Sequence, residues 1–174
     1  MTAPSSGFDV HALYAALDAQ RQSRGMSWAQ VAREISDRFG RTPARPLSPS
    51  TLAGMRERHS LEGDSVLQML GWLHRSPESF LPGRNGESKA SETLPQVGPS
   101  QILRFDTRAL YRALDARRVE RGMTWRQVAE EIGGFAATNL TSLAKGGRIA
   151  FPGVMRLVAW VGQPAVSFTR ASDW

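Results

Sequence analysis

The residues best suited to acid–base or metal chemistry in this sequence are its three histidines, His11, His59 and His74. None has an aspartate or glutamate at the spacing of a metal site or a catalytic dyad. Cysteine is absent, which excludes a disulfide framework, thiol chemistry and a cysteine-containing zinc site. The chain also lacks a P-loop and a dinucleotide-binding glycine motif. Catalysis is therefore not indicated, and we expect no catalytic residue, no metal and no cofactor.

The charge balance is the first indication of a partner. Lysine and arginine number 22 against 16 acidic residues, a formal charge of +6 with a sequence pI of about 10.9. A pI above about 9 is typical of nucleic-acid binding, although a basic surface can also serve solubility alone. No apolar run approaches the length of a membrane span, and residues 1–7 lack the features of a signal peptide. We therefore expect a cytoplasmic protein.

One stretch, Thr124–Gly146, has the pattern of two short helices joined by a tight turn. Thr124 and Gln127 form a capping box, which predicts where the first helix begins. The paired glycines Gly133 and Gly134 predict its end, because glycine disfavours a helix interior. This is the outline of a helix-turn-helix unit, a common device for placing a helix in the DNA major groove.

The chain contains this unit twice. Phe8–Ile35 aligns without a gap with Phe105–Ile132, 97 residues later, whereas Trp72 matches Trp160 only 88 residues later. The first copy therefore has nine extra residues. We expect domain boundaries of 1–83 for copy one, with the insertion at about 36–48, and 105–174 for copy two. Residues 84–104 are expected to form a flexible linker.

The insertion carries three arginines, Arg38, Arg41 and Arg45, which either reach a DNA backbone or belong to a longer solvated turn. Elsewhere we expect the same helices in both copies. The first helices follow the N-caps Asp9 and Asp106 and run to Gly25 and Gly122, and the second helices begin at Ser27 and Thr124. The third helices are expected over Pro49–Arg58 and Ala137–Lys145, and the fourth over Asp64–Leu73 and Pro152–Val161. Short fifth helices are expected to begin near Ser76 and Gln163. The tryptophans Trp72 and Trp160 are expected to pack between helices.

With these helices placed, each copy resembles the lambda-repressor-like helix-turn-helix family, which includes Cro-type and xenobiotic-response-element regulators. The resemblance is carried by the segments RGMTWRQVAEEIG, NLTSLAKGG and VMRLVAWVG of copy two and by the matching segments of copy one. It implies an all-α fold of two tandem bundles of about five helices each, joined by a flexible linker. In copy one, Arg58 and His59 stand near the place of the Lys145-Gly146 pair.

The resemblance also implies which residues contact DNA. The base-facing positions are Ala137, Thr138, Thr141 and Ser142 in copy two and Ser50 and Ala53 in copy one. The backbone-contacting positions are Trp125, Arg126, Lys145 and Arg148 in copy two and Trp28, Arg56 and Arg58 in copy one. Because these base-facing residues are small and weakly polar, we expect modest direct readout, with much of the affinity coming from phosphates.

The function that this implies is sequence-specific binding of double-stranded DNA by a bacterial transcriptional regulator, with repression as the expected outcome. Two linked copies would act as a pseudo-dimer, or the chain would form a weak homodimer. The alternative is a helix-turn-helix module that binds a protein, as an antitoxin or adaptor, with weak or no DNA reading.

Overall fold

A computed structural model describes residues 7–38, 47–58, 61–84, 86–98 and 101–173. These residues are mostly helical, as expected, with a small sheet that was not expected. The α-helices are α1 Val10–Ser23, α2 Trp28–Arg38, α3 Pro49–Ala53, α4 Gly63–Leu73, α5 Thr107–Glu120, α6 Trp125–Ile132, α7 Ala137–Ser142 and α8 Phe151–Val161, and the strands are β1 Gln101–Phe105 and β2 Thr169–Asp173. Most of the predicted insertion lies outside the described residues, including Arg41 and Arg45, as does His59.

The first helix of each copy begins where its cap predicts. The Asp9 carboxylate accepts a hydrogen bond from the Ala12 backbone N–H at 2.9 Å, and the Asp106 carboxylate accepts one from Ala109 at 2.9 Å. These bonds satisfy a donor that the first helical turn leaves without a partner. Both predicted N-caps are therefore confirmed.

The third helices are shorter than the sequence predicts. Only Pro49–Ala53 and Ala137–Ser142 are α-helical, and each continues as a 3-10 turn, Gly54–Glu57 or Leu143–Lys145. In copy two the Gly146 N–H bonds to the Leu143 carbonyl at 3.0 Å, which is the shorter spacing of a 3-10 turn. The predicted α-helices over Pro49–Arg58 and Ala137–Lys145 are corrected accordingly.

Short 3-10 turns stand where the fifth helices were expected, over Pro77–Phe80 and Ala165–Phe168. Each turn returns the chain to the start of its own copy. The Asp9 N–H donates to the Phe80 carbonyl at 3.1 Å, and the Asp106 N–H donates to the Phe168 carbonyl at 2.7 Å. The beginning and end of each copy are thus held together by the same bond.

The segment predicted as a flexible linker is structured where the structure describes it. Ala90–Glu92 forms a 3-10 turn, and β1 pairs antiparallel with β2, with Leu103 opposite Ala171. Leu94, Ile102 and Leu103 are buried in the core, and β1 packs on α4. The prediction of a flexible linker is therefore corrected. These apolar residues are few and irregularly spaced, so they leave no periodic pattern in the sequence.

The two copies share one continuous core. Phe151, at the start of α8, is fully buried, with its ring 4.9 Å from the Phe8 ring and 6.4 Å from the Phe105 ring. Its backbone N–H donates to the Leu61 carbonyl at 3.0 Å. The hydrogen bond from the Phe105 N–H to the Asp64 carboxylate, at 3.2 Å, adds a second link.

The contacts across this joint come in two matching pairs, each between one position of copy one and one of copy two. Phe8 aligns with Phe105, and Gly63 aligns with Phe151 in the repeat. Phe8 packs on Phe151, while a Cβ atom placed on Gly63 would lie 3.8 Å from the Phe105 Cβ and 3.6 Å from the Phe151 ring. Such an exchange is the mark of an interface with two-fold symmetry, here approximate and within one chain.

Candidate nucleic-acid interface

Trp125 is fixed at the start of α6 by residues of α5. Its ring stacks on Tyr111 with centroids 5.3 Å apart, and the Arg118 guanidinium lies 5.1 Å from the ring centroid. Arg118 is itself held by the Asp115 carboxylate at 2.7 Å and by the Met123 carbonyl at 2.8 Å. The indole is half-buried, so a phosphate contact from Trp125 would have to use the part of the ring that remains exposed.

Copy one repeats the arrangement at every aligned position. Trp28 lies 5.7 Å from Tyr14 and has the Arg21 guanidinium 5.0 Å from its ring centroid. Arg21 bonds to the Asp18 carboxylate at 2.7 Å and to the Met26 carbonyl at 2.9 Å. Cation–π contacts of this kind contribute about 0.5–1 kcal/mol at exposed sites. Both tryptophans therefore have a packing role beside the backbone contact that the resemblance implies.

A second set of contacts joins three helices of copy two. The Arg121 guanidinium bonds to the Glu131 carboxylate at 2.7 Å, and the Trp160 indole N–H donates to the same oxygen at 3.2 Å. The hydrogen bond from Arg121 lowers the pKa of the Glu131 carboxyl. The corresponding contacts in copy one, at 2.8 and 2.9 Å, are made by Arg24, Glu34 and Trp72.

The contacts with Glu131 and Glu34 confirm that Trp160 and Trp72 pack between helices. Their charged partners were not predicted from the sequence. A signal was present, since the arginine and the glutamate are identical at aligned positions of the two copies. The contacts hold α2 and α6, the second helix of each copy, against their neighbours.

The third helix of copy two, α7, presents most of the predicted base-facing positions to solvent. Leu140 and Leu143 are fully buried and anchor the helix. Thr138, Thr141 and Ser142 are exposed on the other side. Ala137, the remaining predicted position, is half-buried.

The polar groups on this face are partly engaged with their own helix. The Thr141 hydroxyl donates to the Thr138 carbonyl at 3.3 Å, and the Ser142 hydroxyl donates to the Asn139 carbonyl at 2.8 Å. The Asn139 side-chain oxygen accepts from the Ala136 N–H at 2.9 Å and caps the helix. Bidentate reading of adenine uses both the oxygen and the nitrogen of an amide, and the Asn139 oxygen is already engaged in this cap.

The predicted backbone-contacting cations of copy two are well exposed. Arg126 is 85% exposed and pairs with Glu130 at 3.0 Å, while Arg148 is 90% exposed and lies 3.8 Å from Glu62. Pairs this exposed contribute little, so both arginines can exchange their partner for a phosphate. Lys145 is also exposed, at the end of the 3-10 turn that follows α7.

Copy one presents a different surface at the aligned positions. Ser50, Ala53, Arg56 and Arg58 are all exposed. The Ser50 hydroxyl lies 2.9 Å from the hydroxyl of the N-cap residue Ser48. The two copies therefore share the contacts that position α2 and α6, but they differ in the side chains that α3 and α7 present to solvent.

We expect Thr124→Ala to lower the free energy of unfolding by about 1 kcal/mol, because an N-cap hydroxyl is lost. The Thr124 hydroxyl accepts from the Gln127 N–H at 3.2 Å, and the Gln127 side chain accepts from the Thr124 N–H at 2.8 Å. Urea unfolding followed by circular dichroism measures the change. The matched variant is Ser27→Ala, since Ser27 and Gln30 make the same reciprocal pair in copy one. An unchanged unfolding midpoint for Thr124→Ala would contradict the capping role.

Within the described ranges, no group of three or more histidine, cysteine or acidic residues is placed to hold a metal ion, and no described helix is long and apolar enough to cross a membrane. Comparison of the chain with protein-family models, with curated proteins and with solved structures finds no match.

Proposed function

We propose that this protein is a sequence-specific, double-stranded DNA-binding transcriptional regulator, acting as a repressor at the nucleoid in the cytoplasm. In this proposal each copy is a lambda-repressor-like helical bundle, and the two form a pseudo-dimer within one chain. The observation that carries the proposal is the exposed face of copy two. It combines hydroxyl groups on α7 with Arg126, Lys145 and Arg148 around it.

The exposed cations of copy two and the contacts that fix α6 both support DNA binding. Exposed cations beside a short polar helix suit contacts to phosphates, which fix the position of a protein on DNA. The repeated contacts of Arg121, Glu131 and Trp160 hold α6 against its neighbours, and a recognition unit needs such rigidity. The weak hydrogen-bonding capacity of the α7 face favours modest direct readout, with sequence-dependent DNA shape adding discrimination.

A variant of Lys145 tests the phosphate contacts. Lys145→Ala should weaken duplex binding nearly equally on all sequences and reduce the slope of log affinity against log salt by about one. Lys89→Ala is the matched control, because Lys89 is the other lysine of the chain and is exposed between the two copies. The measurement is a titration of labelled duplex at several salt concentrations. An unchanged slope for Lys145→Ala would remove this residue from the interface.

A variant of Thr141 tests the reading of bases. Thr141→Ala should change the preferred base at one position of DNA selected from a random pool and leave the salt slope unchanged, because a threonine contacts base edges without neutralising a phosphate. The same preference at every position would mean that α7 does not face the groove. No duplex binding by the full-length protein at low salt would reject the proposed function itself.

A protein-binding module remains the second candidate, and one observation favours it. The hydroxyls of Thr141 and Ser142 and the amide oxygen of Asn139 all bond within their own helix. A surface of small residues with satisfied polar groups packs readily against another protein. Salt-independent binding to a protein partner, with no duplex binding, would select this function.

A further inference from the structure

A cavity lies between the end of α4, the segment that joins the two copies, and β1. Its volume is about 310 Å³, at the lower end of the range for sites that bind small molecules. Leu70, Leu94 and Leu103, all buried, form its apolar part. Neither helix-turn-helix unit accounts for this cavity.

Arg75 is one of the residues that line the cavity, and its side chain is held in place. Its guanidinium Nη2 donates to the Gly86 carbonyl at 2.9 Å, and the guanidinium carbon lies 4.5 Å from the Phe80 ring centroid. Gly86 has φ of 80°, and a Cβ atom there would overlap the guanidinium, so this close approach requires glycine. Among the described residues, no carboxylate forms an ion pair with Arg75.

Three carbonyl groups near the end of α4 already accept hydrogen bonds. The carbonyl of Leu70 accepts from the Arg75 N–H at 3.2 Å, and that of Gly71 accepts from the His74 N–H at 3.4 Å. The Trp72 carbonyl accepts from the Gln20 side chain at 3.2 Å. The lining of the cavity therefore combines apolar side chains with an arginine whose side chain is held in place and has no acidic partner within the described ranges.

We propose that this cavity binds a small amphipathic carboxylate. The apolar body of the ligand lies against the three leucines, and its carboxylate pairs with the remaining N–H donors of Arg75, a geometry in which guanidinium and carboxylate are complementary. The ligand would contact both α4 and the segment between the copies. The proposal does not depend on DNA binding.

The test compares head groups on a constant chain, using the full-length protein and isothermal titration calorimetry. Decanoate, decanol and decyltrimethylammonium are titrated below their micelle-forming concentrations. We expect saturable one-to-one binding of decanoate, with decanol weaker by about tenfold or more because it lacks the charge-assisted hydrogen bonds. No binding of the ammonium compound is expected. Equal affinity for decanoate and decanol, or no saturable binding of decanoate, would overturn the proposal.

Two variants locate the site. Arg75→Gln should weaken decanoate binding by about tenfold or more while leaving decanol binding unchanged. Arg112→Gln, the same change at an exposed arginine of α5, should leave both unchanged. Val97→Trp fills the cavity from a half-buried lining position and should abolish decanoate binding. Circular dichroism checks that each variant is folded. A folded Val97→Trp variant that binds decanoate as tightly as the wild type would place the ligand elsewhere. The comparison of head groups uses the wild-type protein and so does not depend on the folding of any variant.

Discussion

Replacing Phe151 with alanine is expected to lower the free energy of unfolding by about 3–5 kcal/mol, the range for deleting a buried phenylalanine ring. The ring is fully buried between Phe8 of copy one and Phe105 of copy two. Its removal leaves a cavity at the joint between the copies. The loss should therefore affect both copies, although the residue belongs to copy two.

Urea unfolding measures the size of this effect, and amide hydrogen exchange measures where it occurs. Phe151→Leu is the control, because it keeps much of the apolar volume and should cost considerably less. In Phe151→Ala we expect faster exchange in α4 of copy one as well as in α8. Faster exchange confined to α5–α8 would mean that the copies are energetically independent and that the shared core contributes little.

Glu78→Gln is expected to raise the free energy of unfolding at pH 8 by about 1–3 kcal/mol, because it replaces a buried charged group that lacks a full set of partners with a neutral one, and an unsatisfied buried group costs more when it is charged. Glu78 is 6% exposed. One carboxylate oxygen accepts from the Ala165 N–H at 2.5 Å, across the two copies, while the other is buried and has no partner among the described residues. Glutamine keeps the accepting oxygen and removes the charge.

The pH dependence follows from the direction of the pKa shift. Burial raises the pKa of the Glu78 carboxyl, and the nearby Glu92 adds to the rise, against the hydrogen bond from the Ala165 N–H. In the unfolded chain a glutamate titrates near pH ~4.3. Because the folded pKa is higher, the stabilisation linked to the bound proton is complete below the unfolded pKa and is lost as the pH rises through the folded pKa. The difference between Glu78→Gln and the wild type should therefore grow from pH 4 to pH 8.

Glu92 supplies a control of opposite sign. Burial alone would raise the pKa of this carboxyl, but hydrogen bonds from the Lys89 N–H and from Arg84, at 3.0 and 2.6 Å, outweigh it and lower the pKa. Its stabilisation is present above the unfolded pKa and is lost as the pH falls. Glu92→Gln should therefore destabilise the protein at neutral pH. Parallel stability profiles for Glu78→Gln and the wild type from pH 4 to pH 8 would contradict the account of Glu78.

Those parts of the fold that depend on neighbouring residues could be predicted from the sequence. The caps at Asp9, Asp106 and Thr124 join residues only three positions apart, so the pattern of residue types is sufficient. The end of α6 at Gly133, with φ of 78°, is local in the same sense. The repeat then extended each prediction from one copy to the other.

The parts that depend on distant residues could not be predicted. The hydrogen bond from Ala165 to Glu78 joins positions 87 residues apart, and the pairing of β1 with β2 joins the segment between the copies to the end of the chain. Ile102 and Leu103 are buried where β1 packs on α4 of copy one. The structure gives the position and exposure of the predicted DNA-facing side chains, while their role stays a prediction that duplex titration tests.

The joint between the copies also determines which unit can pair with which. At aligned positions of the repeat, copy one has Gly63 and copy two has Phe151, and the Phe151 ring packs beside Gly63. Two copies of the second unit, docked in the same way, would bring one phenylalanine ring against the other. Two copies of the first unit would place glycine against glycine and lack the ring that fills the joint. One large and one small residue at this place are therefore complementary within one chain, whereas two copies of the same unit are not. Under the proposed function, this would keep the two proposed recognition surfaces in a fixed order along one molecule.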